Sequence, residues 1–293
     1  MNPELDALKR TIETALDRTL PTRSDIAQPV VDAMRHSVLG GGKRLRPLLV
    51  CATLQAFDDK PEKALPAACA VEFIHAYSLI HDDLPAMDDD ELRHGLPSAH
   101  VQFGEANAIL AGDSLHSLAF QTIAQSPHQS AEIKLQMIEL LAAAAGWAGM
   151  AGGQCLDIAA EGRELGLTEL QALHTAKTGA LIRASVQLGV LSTDTEPNPE
   201  QFTLLTEYGD RIGLAFQVMD DVLDVTQTTE QLGKPAGSDE ALDKNTFPRL
   251  MGLMQARELA QSLVSEALAI LQRTRLETAA LATLADLVVS RTN

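Results

Sequence analysis

The stretch His81-Asp82-Asp83-Leu84-Pro85-Ala86-Met87-Asp88-Asp89-Asp90-Glu91 follows directly on the apolar run Phe73 to Ile80. Solubility alone does not call for a nest of carboxylates at the end of an apolar helix. Buried like charges repel and raise one another's pKa unless a cation neutralises them. A second nest, Asp220-Asp221-Val222-Leu223-Asp224, emerges in the same way from Gly213 to Met219. Asp220 and Asp224 are i and i+4, so they share one helix face. Asp82 and Asp88 would point about 120° apart on a regular helix. To share metal they need the residues around Leu84-Pro85 to bulge out, and Pro85 disrupts the helix there. The expectation is that the two nests face each other and hold hard divalent metal.

Working outward, the basic residues matter because they are few. The 293 residues carry a formal charge of −17, which argues against a nucleic-acid partner. Lys43, Arg44 and Arg46 nevertheless cluster in Gly40-Gly41-Gly42-Lys43-Arg44-Leu45-Arg46-Pro47. One reading is a helix C-cap with a solvated basic face. The other is a phosphate grip, with Lys as a point charge and Arg as a planar fork. The spacing is not that of a nucleotide P-loop. Lys177 sits within an apolar helix, where a lysine is usually a snorkelling surface residue but could instead meet a bound anion. His75 lies two turns before the first nest, and a lone helical histidine is more often structural.

Helical periodicity dominates and no alternating strand stands out, so the fold class is all-α. Aromatics are only 3%, which suits close-packed helices. Helices are expected over residues 3–20, 24–39, 48–57, 66–83, 105–123, 130–150, from Thr168 to Leu191, over 201–225, 249–273 and 277–291. Pro29 should delay the regular part of the second. Residues 98–104 read as a loop, Gly152-Gly153 as a break before Gln154 and Asp157, and residues 192–199 as a linker. Thr226 to Pro248, with Lys234 and Lys244, reads either as a basic lid over phosphate or as an exposed loop. No linker is long enough to separate domains, so residues 1–293 read as one. Leu140 to Leu156 reads as a buried helix and not as a membrane span. Cys51, Cys69 and Cys155 lack metal-type spacing and read as free buried thiols. With Glu4, Asp6, Lys9 and Arg10 early in the chain, no signal peptide is expected and a cytoplasmic location is.

Mg²⁺ prefers oxygen ligands, binding through a few carboxylates plus substrate phosphate. A diphosphate held between the nests would become a good leaving group, because metal and Lys/Arg stabilise its developing charge. Phe73, Tyr77, Leu79, Phe216 and Met219 offer apolar walls around it. That combination suits a substrate with a hydrocarbon tail and a diphosphate head.

Asp82-Asp83-x-x-x-x-Asp88 and Asp220-Asp221-x-x-Asp224 resemble the two aspartate-rich motifs of the trans-isoprenyl diphosphate synthases. Gly41-Gly42-Lys43-Arg44-Leu45-Arg46-Pro47, Gly153-Gln154, Lys177-Thr178-Gly179 and Phe216-Gln217 also match that family, in order, over essentially the whole chain. The resemblance implies the isoprenoid synthase fold, antiparallel helices around a deep central cavity, as a single polyprenyl synthetase domain and usually a homodimer. It implies Mg²⁺, with Mn²⁺ able to substitute, on Asp82, Asp88 and Asp220, supported by Asp83, Asp221 and Asp224. Arg93, Lys177 and Lys234 would hold an allylic diphosphate, and Lys43, Arg46 and His75 isopentenyl diphosphate. Gln217 would order the allylic head, Thr178 would ease the allylic cation, and Lys244 joins the substrate-binding set. The departed diphosphate serves as base, so no protein nucleophile is needed.

Tyr77, with Ser78 beside it, would meet the end of the growing chain. The pattern is most similar to bacterial C15-forming members, with C10 or C20 formation as the alternatives. Where the family commonly has two arginines after the first motif, this chain has Arg93-His94. A histidine contributes charge only when protonated. Weaker binding of the homoallylic diphosphate is expected there, or compensation by Arg44 or Arg291. Terpene cyclases usually replace the second motif, and non-catalytic regulatory subunits often lose aspartates; both motifs are complete here.

Overall fold

In a computed structural model, residues 3–194, 198–226 and 245–290 are described. Lys234, Lys244 and Arg291 lie outside them. Helices α1 (Pro3–Thr19), α2 (Gln28–Leu39), α3 (Leu45–Gln55) and α4 (Leu65–Asp82) come first. A hairpin follows, β1 (Leu92–Arg93) and β2 (Leu96–Pro97), then α5 (Ala99–Phe103), α6 (Glu105–Ala124), α7 (Ala131–Ala145), α8 (Met150–Ala159) and α9 (Leu167–His174). A π-helical turn, Thr175–Gly179, leads into α10 (Ala180–Leu191) and α11 (Pro199–Thr226). The last three are α12 (Phe247–Met251), α13 (Leu253–Thr274) and α14 (Ala279–Ser290).

The apolar stripes explain the packing. Leu5, Leu8, Ile12 and Leu16 bury one face of α1. Pro29 lies in the first turn of α2, where its missing N–H costs nothing. In α4 every side chain from Ala67 to Ile74 is buried, as befits a helix surrounded by others. It packs along α6, while α11 packs along α13 and α10 lies against both α3 and α11. Among the described residues no helix is long and apolar enough to cross a membrane.

Several expectations are corrected. Gly152 and Gly153 lie inside α8 and do not break it. A Cβ at Gly153 would stand 2.2 Å from the Lys177 backbone nitrogen, so this glycine serves a close helix crossing. The true interruption is earlier, where α7 ends at Ala145, Gly146 caps it and Gly149 precedes α8. The stretch read as one buried helix is therefore two, with Trp147 89% exposed at the corner. Cys51 and Cys69 are buried as expected, but Cys155 is exposed on α8.

The segment read as loop contains the short α5. The final long helix is divided at Gly252, whose φ of +86° no continuing helix permits. The hairpin escaped the sequence because two residues per arm leave no alternation to detect. Its register pairs Leu92 with Pro97 and Arg93 with Leu96. His94 and Gly95 take φ of +54° and +78° between the arms, as a two-residue turn matched to strand twist requires.

Candidate active site

The first acidic rim is built by ending a helix abruptly. Pro85 has no N–H to give the His81 carbonyl, so Leu84 N–H takes that carbonyl instead at 3.2 Å. The chain then loops out, and Asp88 N–H returns to the Asp82 carbonyl at 2.8 Å. This is the bulge that the spacing demanded, and it brings Asp82 and Asp88 to the same cavity. The second rim needs no such device, because α11 runs unbroken through Asp220, Asp221 and Asp224.

Both rims meet at one cavity of about 370 Å³, with Asp82, Asp88, Asp90, Asp220 and Asp221 among its lining. Lys43, Arg46, His75, Arg93, His94 and Lys177 face the same space, as do Thr178 and Gln217. Asp83 and Asp224, 2% and 3% exposed, do not line it. Among the apolar residues expected on the wall, Leu79 and Phe216 are there, but Phe73, Tyr77 and Met219 are not. The reason is helical phase: Glu72, His75, Leu79 and Asp82 recur at turn spacing on the cavity face of α4. Phe73 and Tyr77, four apart, follow the next stripe. Tyr77 turns to α6, where its ring meets His116 edge-on at 5.1 Å and His116 meets Phe120 at 5.1 Å. The Ser78 hydroxyl is bound to its own helix, donating to the His75 carbonyl at 2.8 Å.

The electrostatics fit a site that receives both a cation and an anion. Burial, then the charges of Asp88 and Asp83, pushes the Asp82 carboxyl up to about 6 against the pull of Lys177 and Arg93. Burial also raises Asp83, although Arg93 donates to it through Nε at 3.0 Å and again through Nη2. Arg93 Nη2 also reaches Asp90 at 3.0 Å. Arg46 is 9% exposed and its Nε has no hydrogen-bond partner. Desolvation lowers its pKa while Glu72 and Asp220 oppose. A buried guanidinium edge without a partner is costly until an anion meets it.

Arg44 is held by the fold at its two terminal nitrogens. Its Nη1 donates to Glu72 at 2.7 Å and its Nη2 to the Val38 carbonyl at 2.6 Å, which leaves only its buried Nε without a partner, on a side chain that lines the same cavity. His94 packs against Gly41 and Gly42. Desolvation, then Arg93, Arg44 and Lys43, holds its pKa below the ordinary value. Desolvation and then Arg46, His94, Arg93 and Arg44 hold His75 well below that value too.

The donor set for a metal is all carboxylate oxygen. Among the described residues no three His, Cys, Asp or Glu side chains converge enough to hold an ion alone. An all-carboxylate donor set suits a hard ion, which prefers oxygen ligands.

Three site residues were passed over in the sequence. Asp157 accepts from Lys177 Nζ at 2.6 Å, and its place after Gly153-Gln154 on α8 was the available signal. Glu72 neutralises Arg44 from within an apolar run. His174, 7% exposed, stacks on Phe247 at 5.5 Å and lies 3.9 Å from Asp221. Burial pulls its pKa down to about 4, and nothing in its local sequence marks it.

Two facing acidic rims and a basic wall around one cavity in an all-helical fold define a class, and comparison with known proteins agrees. The Polyprenyl synthetase family matches residues 27–285. Farnesyl diphosphate synthase of Escherichia coli K12 is 49% identical over 293 residues, covering 98% of each chain. A solved FPP/GFPP synthase from Zymomonas mobilis superposes with a TM-score of 0.87 at 38% identity, covering 98% of both chains. A geranyltransferase from Helicobacter pylori, solved with magnesium and isoprenyl diphosphate, gives 0.86 at 33% identity, covering 99% of this chain and 97% of that one. The chain belongs to the polyprenyl synthetase family.

Proposed function

We propose that this chain is a farnesyl diphosphate synthase, a prenyltransferase that joins isopentenyl diphosphate to dimethylallyl and then geranyl diphosphate. The observation that carries the reading is the single cavity where both aspartate rims face Arg46, Lys43 and Lys177. The relatives that match nearly the whole chain support the C15 product.

Asp82, Asp88 and Asp220 would hold Mg²⁺, or Mn²⁺ in its place, with Asp83, Asp221 and Asp224 fixing their surroundings. When bound, the metal neutralises the allylic diphosphate and stabilises the charge developing on it as it leaves. Lys177 and Arg93 orient that head, and Lys177 exchanges Asp157 for phosphate as it does so. Arg46, Lys43 and His75 receive the diphosphate of isopentenyl diphosphate, where the Arg46 edge finds its partner. Thr178 and Gln217 stand over the allylic carbon as its C–O bond breaks with the electron pair leaving on diphosphate. The double bond of isopentenyl diphosphate then forms the new C–C bond, and the released diphosphate takes the proton. Water exclusion by Leu79 and Phe216 protects the cation.

The reading includes a cytoplasmic location and a homodimer, and sedimentation of the chain tests the second. The activity is tested by incubating the chain with Mg²⁺, isopentenyl diphosphate and dimethylallyl, geranyl or farnesyl diphosphate, then sizing the products. C15 from the first two is expected. No elongation from any starter overturns the reading.

A further inference from the structure

We infer that Asp221 is a positioning residue that sets the direction of the Thr178 hydroxyl through Gln217. This rests on the synthase reading and deepens it. The Phe247 backbone N–H donates to Asp221 Oδ2 at 3.0 Å. A carboxylate only accepts, so the end of Gln217 that lies 2.8 Å from Asp221 Oδ1 is its amide nitrogen, Nε2. The other end, Oε1, therefore faces Thr178 Oγ1 at 2.9 Å and can only accept. The Thr178 hydrogen is thereby pinned on Gln217, and the lone pairs of Oγ1 are left for the cavity that Thr178 lines.

The direction matters because a hydroxyl is a dipole. With its hydrogen held away, the oxygen presents negative charge where an allylic cation develops. With the hydrogen released, it presents positive charge to the same carbon. A dipole fixed beforehand needs no reorganisation as the charge appears. The fold supplies the alignment from three places. Thr178 sits on the π-helical turn, Gln217 and Asp221 share a face of α11 at i and i+4, and Phe247 opens α12. A Cβ at Gly213 would stand 2.9 Å from Gly179 Cα, so α11 and the π turn approach closely enough for Gln217 to reach Thr178.

The experiment reverses the chain of bonds and then restores it. In Asp221→Asn the backbone N–H of Phe247 still needs an acceptor, so the new amide turns its NH₂ toward Gln217. Gln217 must flip, its Nε2 meets Thr178, and the hydroxyl hydrogen is freed. Expected is a loss in kcat of about 100-fold, the scale of one preorganised dipole. KM for both diphosphates and the Mg²⁺ requirement stay within about threefold, as for an interaction made in the transition state alone.

Asp221→Asn with Gln217→Glu restores an acceptor at Thr178 and a donor toward it from position 221, so kcat should recover to within about tenfold of wild type. In a Thr178→Val background Asp221→Asn should cost much less in kcat than it does with Thr178 present. Gln217→Met cuts the chain while keeping the Asp221 carboxylate and should show the same loss in kcat, even if Asp221→Asn folds poorly. NMR gives a readout independent of turnover. NOEs from the Gln217 side-chain NH₂ should run to the Phe247 amide in wild type and to the Thr178 methyl in Asp221→Asn. A higher Mg²⁺ requirement with unchanged kcat, no recovery in a folded double variant, or an unflipped Gln217 overturns the relay. A wild type that elongates nothing while the NOE switch holds sinks only the synthase reading.

Discussion

Asp220, Asp221 and Asp224 stand on an unbroken α11, whereas Asp82 and Asp88 are brought together only by the excursion through Leu84 and Pro85. The second rim is positioned by its helix, and Asp221 on it accepts from Gln217 and from the Phe247 backbone. The first rim is clasped from outside by a cation, Arg93, reaching from β1 to both Asp83 and Asp90. Helical placement is rigid and local, while a clasped turn depends on a partner elsewhere in the chain. The two rims should therefore fail differently, although they serve one cavity.

On the proposed reading, removing a carboxylate placed to hold metal should be the largest effect and should be equal on both sides. Asp82→Asn and Asp220→Asn are each expected to lower kcat by about 1000-fold, since both remove charge stabilisation from the departing diphosphate. Rapid-quench turnover with saturating Mg²⁺ checks this. A loss confined to one rim would mean that the other is only scaffolding. The symmetry would then be broken.

The clasp provides the asymmetry. Asp83, with its side chain 3% exposed, faces Arg93 at 23%. Arg93→Ala strands that carboxylate, and removing one partner of a buried pair costs about 3 kcal/mol or more. Chemical denaturation should show it, with first-rim geometry lost ahead of the global transition. On the second rim Gln217 is a neutral donor to Asp221, so Gln217→Met removes one hydrogen bond without stranding a buried ion pair and should cost less stability. Equal losses would erase the distinction.

How much of this could be read in the sequence follows the same division. The second rim was legible because i, i+4 spacing on a regular helix fixes the geometry without further information. The first was legible only as a requirement: Asp82 and Asp88 had to converge, and Pro85 showed where the helix must end, but not that Asp88 N–H would close on the Asp82 carbonyl. Gly153 was misread because a glycine that ends a helix and one that admits another backbone look alike in a string. Asp157, Glu72 and His174 owe their roles to residues distant in sequence, and no local pattern carries that. Tyr77 was placed on the wall by its distance from Asp82, but the phase of α4 turns it to α6.

That phase makes Tyr77 a sharper test of the first rim than its sequence position suggested. Its ring rests on His116 and His81 rather than on the cavity lining. If a growing chain parts α4 from α6 beyond Leu79, Tyr77 backed by His116 is what stops it. Tyr77→Ala should then raise the C20-to-C15 ratio by about tenfold, the scale on which a hydrophobic pocket discriminates small size differences. Product sizing by reversed-phase chromatography reads it. Unchanged C15 output would assign length control to other residues, such as Phe216, and remove Tyr77 from the chain's path.

The smallest expected effect concerns His75, on the cavity face of α4 about two turns before the first rim. Desolvation, then the charges of Arg46, Arg93 and Arg44 and the neighbouring His94, hold it well below its ordinary pKa of 6.5. The unfolded chain binds that proton near 6.5, so below this pH the unfolded state holds more protons than the folded one. The sign follows: this group's contribution to stability is intact above about pH 6.5 and is lost as pH falls below it. His75→Asn keeps a neutral hydrogen-bonding side chain and removes the titration. Melting temperature measured from pH 7.5 down to 5.5 should therefore fall less steeply in the variant than in wild type. Parallel curves would mean that an anion-ready wall of Arg46 and Arg93 tolerates a protonated His75. The basic side of the cavity would then be less crowded with positive charge than the geometry of α4 and the hairpin implies.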